Sequence, residues 1–182
     1  AVSDGKTRKS LDRKQVALMK IYNEKNEKKP RFNVNKVISY HSDVKNAKQF
    51  ISNKTNFDKI RNEILKRDLY ANHINGQDNA KKRKKILDGL KNSDMGIITN
   101  CRCLSEGINS PSIDAVFFSD PKTNVIDFEQ ATGRAMRKDP KNLDKKKAYI
   151  IIPIDDEPSL VQLVRILQAL ALTDDHTQSL ID

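Results

Sequence analysis

The sequence predicts an α/β fold with a parallel sheet at its centre, and two observations lead to this prediction. Short runs of apolar, β-branched and aromatic residues alternate with longer segments whose apolar residues recur at helical spacing. Several of the short runs, such as residues 115–119, are almost entirely apolar, as in strands that are buried on both faces. Strands and helices that alternate in this way form right-handed crossovers, which cover both faces of a parallel sheet. We therefore expect five or six parallel strands flanked by helices.

The individual elements follow in order along the chain. Residues 1–10 are polar and basic and predict a loose tail, and residues 11–28 show an amphipathic helix pattern that ends before Pro30. Ser42 or Asp43 can cap the next helix. We predict strands at residues 34–40, 69–74, 95–99, 115–119 and 148–152, and helices at residues 44–51, 56–67, 78–91 and 127–137.

A separate helix is predicted after Pro153. Acidic residues and Pro158 in the first turn are typical of a helix N-terminus, and apolar residues from Leu160 to Leu170 then form a stripe at helical spacing. The stripe fits either packing on the chain's own domain or binding to a partner, and we expect the first. The predicted organisation is a basic flexible tail (1–10), a main domain (11–155) and a C-terminal helix (156–182).

The composition favours a polyanionic partner. Lys and Arg exceed Asp and Glu by 34 to 24, a formal net charge of +10, which suits nucleic acid or acidic lipid. No apolar run approaches the roughly 20 residues of a membrane span, and no signal peptide is visible. The two cysteines, Cys101 and Cys103, predict a reducing compartment, the cytoplasm or nucleus. They lack the further ligands of a four-coordinate metal site, so we expect no bound metal.

Three loops that follow predicted strands carry groups compatible with phosphate. They are His41-Ser42-Asp43, the segment from Thr99 to Gly107, and Asp120-Pro121-Lys122-Thr123. Ligands of doubly wound sheets collect at the carboxyl ends of the strands, where hydroxyls and helix N-terminal amides can meet a phosphate. These loops are therefore expected to share one edge of the sheet.

The segment FEQATGRAMRK contains the pattern Q-x-x-G-R-x-x-R. Helical spacing places Gln130, Arg134 and Arg137 on one face, with Gly133 leaving room for close backbone approach. Two guanidinium groups one turn apart repel each other unless an anion lies between them, and their planar forks match phosphate oxygens. A solvated basic face is the alternative interpretation of these residues. The same alternative applies to the basic run at residues 81–85, which we expect to be a solvated face rather than a nucleic-acid contact.

The motifs occur in a recognisable order over residues 34–152. They are VISYHS, HINGQ followed by KKRKKILDGLK, ITNCRCLSEGINSPSIDAVFFSDP, and FEQATGRAMR. Together they resemble the later motifs of superfamily 2 helicases, which occupy the second of two RecA-like domains in an ATP-driven motor. The sequence of these segments is most similar to that of predicted DNA helicases and restriction-type translocases. The resemblance implies a RecA-like sheet and a partner that is nucleic acid, with DNA favoured over RNA.

The resemblance also implies roles for individual residues. Arg137 matches the arginine finger, Arg134 its companion on the phosphates, and Gln130 the polar residue near the nucleotide and the attacking water. The remaining implied contacts are with the nucleotide or its coupling loop (Glu106, Gly107, Asn109 and Gly133) and with the nucleic-acid backbone (Ser42, Thr99, Asn100 and Arg102). Asn109 stands where the family commonly has Asp, which weakens the implied nucleotide contact.

The sequence contains neither a GxxxxGK[ST] loop nor an Asp-Glu motif after a strand of a first domain. We therefore expect ATP and Mg²⁺ to be held mainly by a first RecA-like domain of the same protein, absent from this chain. The chain is expected to supply half of an ATPase site and to be inactive alone. The rival hypothesis is a non-catalytic nucleic-acid-binding or scaffold module that retains the RecA-like fold.

Overall fold

The computed structural model describes residues 2–24, 28, 30–52, 56–101, 113–120, 148–154, 160–161, 163–164 and 167–168, with only the backbone of residues 2–8. The helices with assigned bounds are α1 (Val2–Glu24), α2 (Val44–Phe50), α3 (Phe57–Ile60), which continues as a π-helical segment (Arg61–Leu65), and α4 (Ala80–Asn92). The strands are β1 (Lys36–Tyr40), β2 (Tyr70–Ile74), β3 (Gly96–Asn100), β4 (Ala115–Phe118) and β5 (Tyr149–Ile151).

The five strands form one parallel sheet in the order β2-β3-β1-β4-β5. Strand β1 lies at the centre, and its Ser39 is paired with Thr99 of β3 and with Phe117 of β4. All residues of β3 and β4 are buried, as expected for strands covered on both faces. The predicted α/β class and parallel sheet flanked by helices are confirmed.

Alternate residues of each strand face opposite sides of the sheet, so the sheet separates two apolar cores. Ile38, Ile98 and Val116 pack with Ile86 and Leu90 of α4 on one side. The other core, on the opposite face, joins strand residues to helices α1, α2 and α3 (among them Leu18, Tyr22, Val37, Phe50, Phe57, Ile97 and Phe117). Each of these helices therefore packs an apolar face on the sheet.

Helix α1 begins nine residues earlier than the sequence analysis predicted. The chain is helical from Val2, so the backbone of residues 2–10 is not the loose tail expected there. Residues 3–10 contain no apolar side chain and so form no apolar stripe, which explains the error, because the prediction relied on that stripe. Asp4, Arg8 and Asp12 are spaced four residues apart, a spacing at which opposite charges stabilise a helix by about 0.2–0.5 kcal/mol per pair.

The other predicted elements agree with the structure to within a few residues, apart from the helix predicted at 56–67. That segment is an α-helical turn followed by a π-helical segment, and it ends where Lys66 adopts a left-handed backbone with φ of 54°. The predicted helix at 127–137 lies outside the described residues. Beyond residue 159, the described residues are helical, and Leu160, Val161, Val164 and Leu167 are 38–46% exposed. The division of the chain into three parts stays a prediction.

Candidate functional site

The carboxyl ends of the three central strands meet at one edge of the sheet, which we call the carboxyl edge. The backbone amide of His41 donates to the carbonyl of Asn100 over 3.0 Å, and the amide of Ser119 donates to the carbonyl of Tyr40 over 2.9 Å. These bonds continue the parallel pairing just past the ends of β1, β3 and β4. The loops that leave these strands therefore begin side by side, as the sequence predicted.

Ser42 lies at the surface of this edge and is held by an acid from the neighbouring loop. Its backbone amide donates to Oδ2 of Asp120 over 2.9 Å. The other oxygen of that carboxylate, Oδ1, lies 3.4 Å from Nζ of Lys14, whose side chain is only 13% exposed. Burial acts to raise the pKa of Asp120, but the Ser42 amide and the Lys14 charge outweigh it and lower that pKa. The ionised carboxylate of Asp120, which follows β4, therefore contacts both the loop after β1 and helix α1.

The start of α2 is capped by Asp43. Oδ1 of Asp43 accepts from the backbone amide of Asn46 over 2.7 Å, and Nδ2 of Asn46 donates to Oγ of Ser42 over 3.2 Å. The sequence analysis expected free amides here for a phosphate. The amides of Ser42 and Asn46 are instead bonded to carboxylates, because two acids flank this loop. The Ser42 hydroxyl is exposed, and it also donates to Oδ2 of Asp43 over 3.4 Å.

Thr99 and Asn100, the other described residues of the predicted nucleic-acid site, are completely buried. Oγ1 of Thr99 lies 3.1 Å from Nδ1 of His73, and Nδ2 of Asn100 donates to the carbonyl of Ser39 over 3.1 Å. Oδ1 of Asn100 is buried and has no hydrogen-bond partner. A buried acceptor without a partner is unfavourable by about 1–3 kcal/mol. This oxygen therefore has an unused capacity to accept a hydrogen bond, and the buried Nε2 of His73 on the neighbouring strand also has no hydrogen-bond partner.

His41 is a neutral, buried residue of this edge. Its Nε2 is 2.8 Å from Oγ of Ser39, and its ring packs on Phe50 with centroids 5.0 Å apart. Burial lowers the pKa of His41 to about 4; Asp120 opposes this shift, whereas Lys14 contributes to it. His41 is thus a structural residue just past the end of β1.

Most of the predicted site residues lie outside the described residues, and their predicted roles stay predictions. They are Arg102, Glu106, Gly107, Asn109, Gln130, Gly133, Arg134 and Arg137. The chain enters the first of these segments after Cys101, whose Sγ donates to the carbonyl of Ser42 over 3.3 Å. It enters the second directly after Asp120. Both segments therefore start from the edge that carries Ser42 and Asn100.

Sequence reasoning missed Lys14 and Asp120 as parts of this site. The sequence places Asp120 in a phosphate-compatible loop but does not indicate its bond to the Ser42 amide. Lys14 lies 106 residues from Asp120 in sequence, and no local pattern indicates that α1 reaches this edge.

The basic run at the start of α4 is largely occupied by internal contacts. Lys82 pairs with Asp78 at 2.5 Å and Lys84 with Asp88 at 2.6 Å. Arg83 donates to the carbonyl of Gly76 over 2.8 Å. These contacts agree with the interpretation of the run as a solvated face.

No described helix has the length and apolar content to cross a membrane. No group of three or more acidic, His or Cys side chains that could hold a metal occurs in the described part of the chain.

Comparison with known protein families and structures identifies the class of protein. The family of helicase conserved C-terminal domains matches residues 32–139, and the chain belongs to this family. The structural neighbours define the class further: the chain is the C-terminal RecA-like domain of a superfamily 2 helicase. No curated protein sequence matches the chain.

Three solved structures illustrate the likeness. The ATP-dependent Type ISP restriction-modification enzyme LlaBIII bound to DNA is 28% identical, with a TM-score of 0.72 over 93% of this chain and 12% of that one. The DEAD-box helicase domain 2 of Mss116p, bound to an RNA duplex, is 17% identical, with a TM-score of 0.59 over 82% of this chain and 51% of that one. Dbp5 of S. cerevisiae, bound to RNA and ADP BeF3, is 16% identical, with a TM-score of 0.59 over 85% of this chain and 35% of that one. The chain thus spans from about an eighth to about half of these proteins.

Proposed function

We propose that the chain is the C-terminal motor domain of a larger nucleic-acid-dependent ATPase, a helicase or translocase. In this proposal it closes on a first RecA-like domain around ATP and Mg²⁺ and supplies contacts to the nucleic-acid backbone. The observation that carries the proposal is the convergence of the loops after β1, β3 and β4 on one edge. The motif segments that contain Glu106 and Arg137 both leave the sheet from that edge.

Nucleic acid is the polyanion that this edge fits best. The net charge of +10 favours any polyanion, and the exposed hydroxyl of Ser42 is a small polar group of the kind that contacts phosphate. The chain has no Trp, which is in keeping with contacts to the backbone rather than base stacking. LlaBIII, with 28% identity, is bound to DNA, and this supports DNA as the ligand in preference to RNA.

Arg137 and Arg134 are the residues proposed to act on ATP. In phosphoryl transfer, Mg²⁺ neutralises charge on the phosphates, and an arginine finger can contribute about 10³–10⁵ in rate. Arg137 would stabilise the charge that develops on the transferred phosphate, Arg134 would hold phosphate oxygens, and Gln130 would orient the attacking water. Gly133 would permit close approach of the helix, and Glu106, Gly107 and Asn109 would connect the nucleotide to the nucleic-acid contacts. The ATP phosphates themselves would be held mainly by the first domain.

The test of this function uses Arg137→Lys in the longer protein that contains the first domain. Lysine keeps the charge but loses the planar fork, so the turnover number should fall by about 10²-fold or more. ATP affinity and the thermal melt should change little, because the finger acts mainly in the transition state. Arg134→Lys should also lower turnover, with weaker ATP binding.

The control is the 182-residue chain alone. It should release no phosphate above background with or without DNA, because it lacks a P-loop. Normal turnover in Arg137→Lys with an unchanged melt would remove the finger assignment. If instead the unmodified longer protein had no ATPase activity, the rival hypothesis of a non-catalytic nucleic-acid-binding or scaffold module would hold.

A further inference from the structure

The direction of α1 relative to the sheet is fixed by contacts at two of its residues. Near its C-terminal end, the hydroxyl of Tyr22 donates to the carbonyl of Gly96, at the amino end of β3, over 2.8 Å. Eight residues earlier, Lys14 reaches Asp120, two residues past the carboxyl end of β4. Eight helical residues span about 12 Å, close to the length of a five-residue strand. Helix α1 therefore runs antiparallel to the strands.

The N-terminal half of α1 consequently extends past the carboxyl edge. The apolar contacts of α1 with the core begin at Leu11. The helix continues from Lys14 back to Val2, which corresponds to about 18 Å at 1.5 Å per residue. This half of the helix thus starts beside the edge that carries Ser42 and Asn100 and continues beyond it.

The face of this half that points away from the core is basic. Lys9 and Arg13 are exposed, are four residues apart, and have no acidic partner among the described residues. They lie roughly opposite the buried Gln15 and Leu18 on the helix. Asp12, the acid in this half whose side chain is described, is hydrogen-bonded to Asn56 over 2.8 Å. Among the residues whose side chains are described, no acid therefore compensates these two cations.

The geometry points to the N-terminal half of α1, through Lys9 and Arg13, as a second contact site for the phosphate backbone of nucleic acid. The inference rests on the proposed binding of nucleic acid at the carboxyl edge and extends that surface onto a helix. Charge complementarity identifies the occupant, because uncompensated Lys and Arg on one helix face match a row of phosphates. The continuity of this face with the edge lets one strand contact both.

The test compares two double variants of the 182-residue chain with equal loss of charge. Lys9→Gln with Arg13→Gln removes the proposed contact. The matched control is Lys20→Gln with Arg67→Gln. Lys20 is exposed on the same face of α1, and Arg67 is exposed shortly before β2. Both lie towards the amino end of the sheet, away from the carboxyl edge. Affinity is measured by fluorescence anisotropy over a salt series with a labelled single-stranded oligothymidine of about 20 nucleotides.

Each phosphate contact with a single strand contributes about 0.7 to the slope of log affinity against log salt. The double variant Lys9→Gln with Arg13→Gln should therefore reduce the magnitude of this slope by about 1.4. With the affinity extrapolated to 1 M salt unchanged, binding at 0.1 M salt should weaken about 25-fold. The control pair should weaken binding less than about threefold, because charges beyond the Debye length of about 10 Å are screened.

A second measurement needs no variant. Acetylation of lysines in the wild-type chain, followed by mass spectrometry, should show Lys9 protected by the bound oligonucleotide and Lys20 unaffected. Equal losses in the two double variants, or no loss in the Lys9 and Arg13 pair, would overturn the inference while leaving nucleic-acid binding at the edge intact. Absence of binding by the wild-type chain would instead reject the proposed function together with this extension.

Discussion

Acid should destabilise the fold through His41, whose imidazole is buried and neutral. Its pKa is about 4 in the folded chain, against about 6.5 in an unfolded chain. Between these values the unfolded state binds more protons, so the free energy of unfolding falls as the pH falls. A pKa difference of 2.5 units corresponds to a total loss of about 3 kcal/mol in the free energy of unfolding. About 2.5 kcal/mol of this is lost by pH 4.5.

The assay is urea denaturation, followed by circular dichroism, at intervals from pH 7.5 to pH 4.5. For a chain of this length, a loss of about 2.5 kcal/mol also lowers the melting temperature by roughly 5–10 °C. The charged groups that act on His41 are Asp120, Lys14, His73 and Asp43. The pKa of His73 is also lowered by burial, so His73 contributes to the same pH range with the same sign.

The matched variant His41→Gln separates the two histidines. Glutamine does not titrate and keeps an amide that can hydrogen-bond to Oγ of Ser39. The difference in unfolding free energy between wild type and variant should shrink by about 2.5 kcal/mol from pH 7.5 to pH 4.5, because His73 titrates in both proteins. A constant difference over this range would show that His41 is not held neutral by burial, and the account of the edge given above would be wrong.

Two further predictions concern the contacts that fix α1 and β1, both measured by urea denaturation at neutral pH. Tyr22→Phe removes the buried hydrogen bond to the carbonyl of Gly96 and should lower the free energy of unfolding by about 1–2 kcal/mol. The control is Tyr149→Phe, which removes a 3.5 Å contact at the surface and should lower it by less than about 0.5 kcal/mol. Equal effects would show that Tyr22 contributes only its ring. Asp114→Ala removes the carboxylate oxygen that accepts from the backbone amides of Asn35 and Lys36, each over 3.0 Å. It should lower the free energy of unfolding by about 2–3 kcal/mol, whereas Asp94→Ala, at an exposed residue, should change it very little. A small effect of Asp114→Ala would mean that water replaces the carboxylate at these amides.

The sheet was predictable because its strands obey a local rule. Runs such as Ile97 to Thr99 and Ala115 to Phe118 are apolar and β-branched or aromatic, and strands covered on both faces require such residues. The alternation with helices then gave the parallel arrangement. The start of α1 was not predictable in the same way, since the sequence of its first turns contains no apolar stripe and therefore gives no periodic signal.

The candidate site was predictable in its location but not in its contacts. That Ser42, Asn100 and Asp120 share one edge follows from the end of each strand. The bond from the Ser42 amide to Asp120 and the ion pair with Lys14 depend on tertiary positions of residues 78 and 106 apart. Local sequence contains no information on such distances. For this reason the bonds of the Ser42 and Asn46 amides to carboxylates were not predicted, although the edge was placed correctly.

The polar residues of the central strands carry a separate argument. Ser39, Thr99 and Asn100 are completely buried, and all lie in the last two positions of their strands. Residues nearer the amino ends, such as Val37 and Ile97, are apolar. Apolar side chains of similar size would fill the last positions without the need for hydrogen-bond partners, and one partner, that of Oδ1 of Asn100, is missing. Stability alone therefore does not account for this change of residue type along β1 and β3. Departures from packing rules are expected where a fold serves a ligand, and here they occur at the edge from which the helicase motif segments leave the sheet.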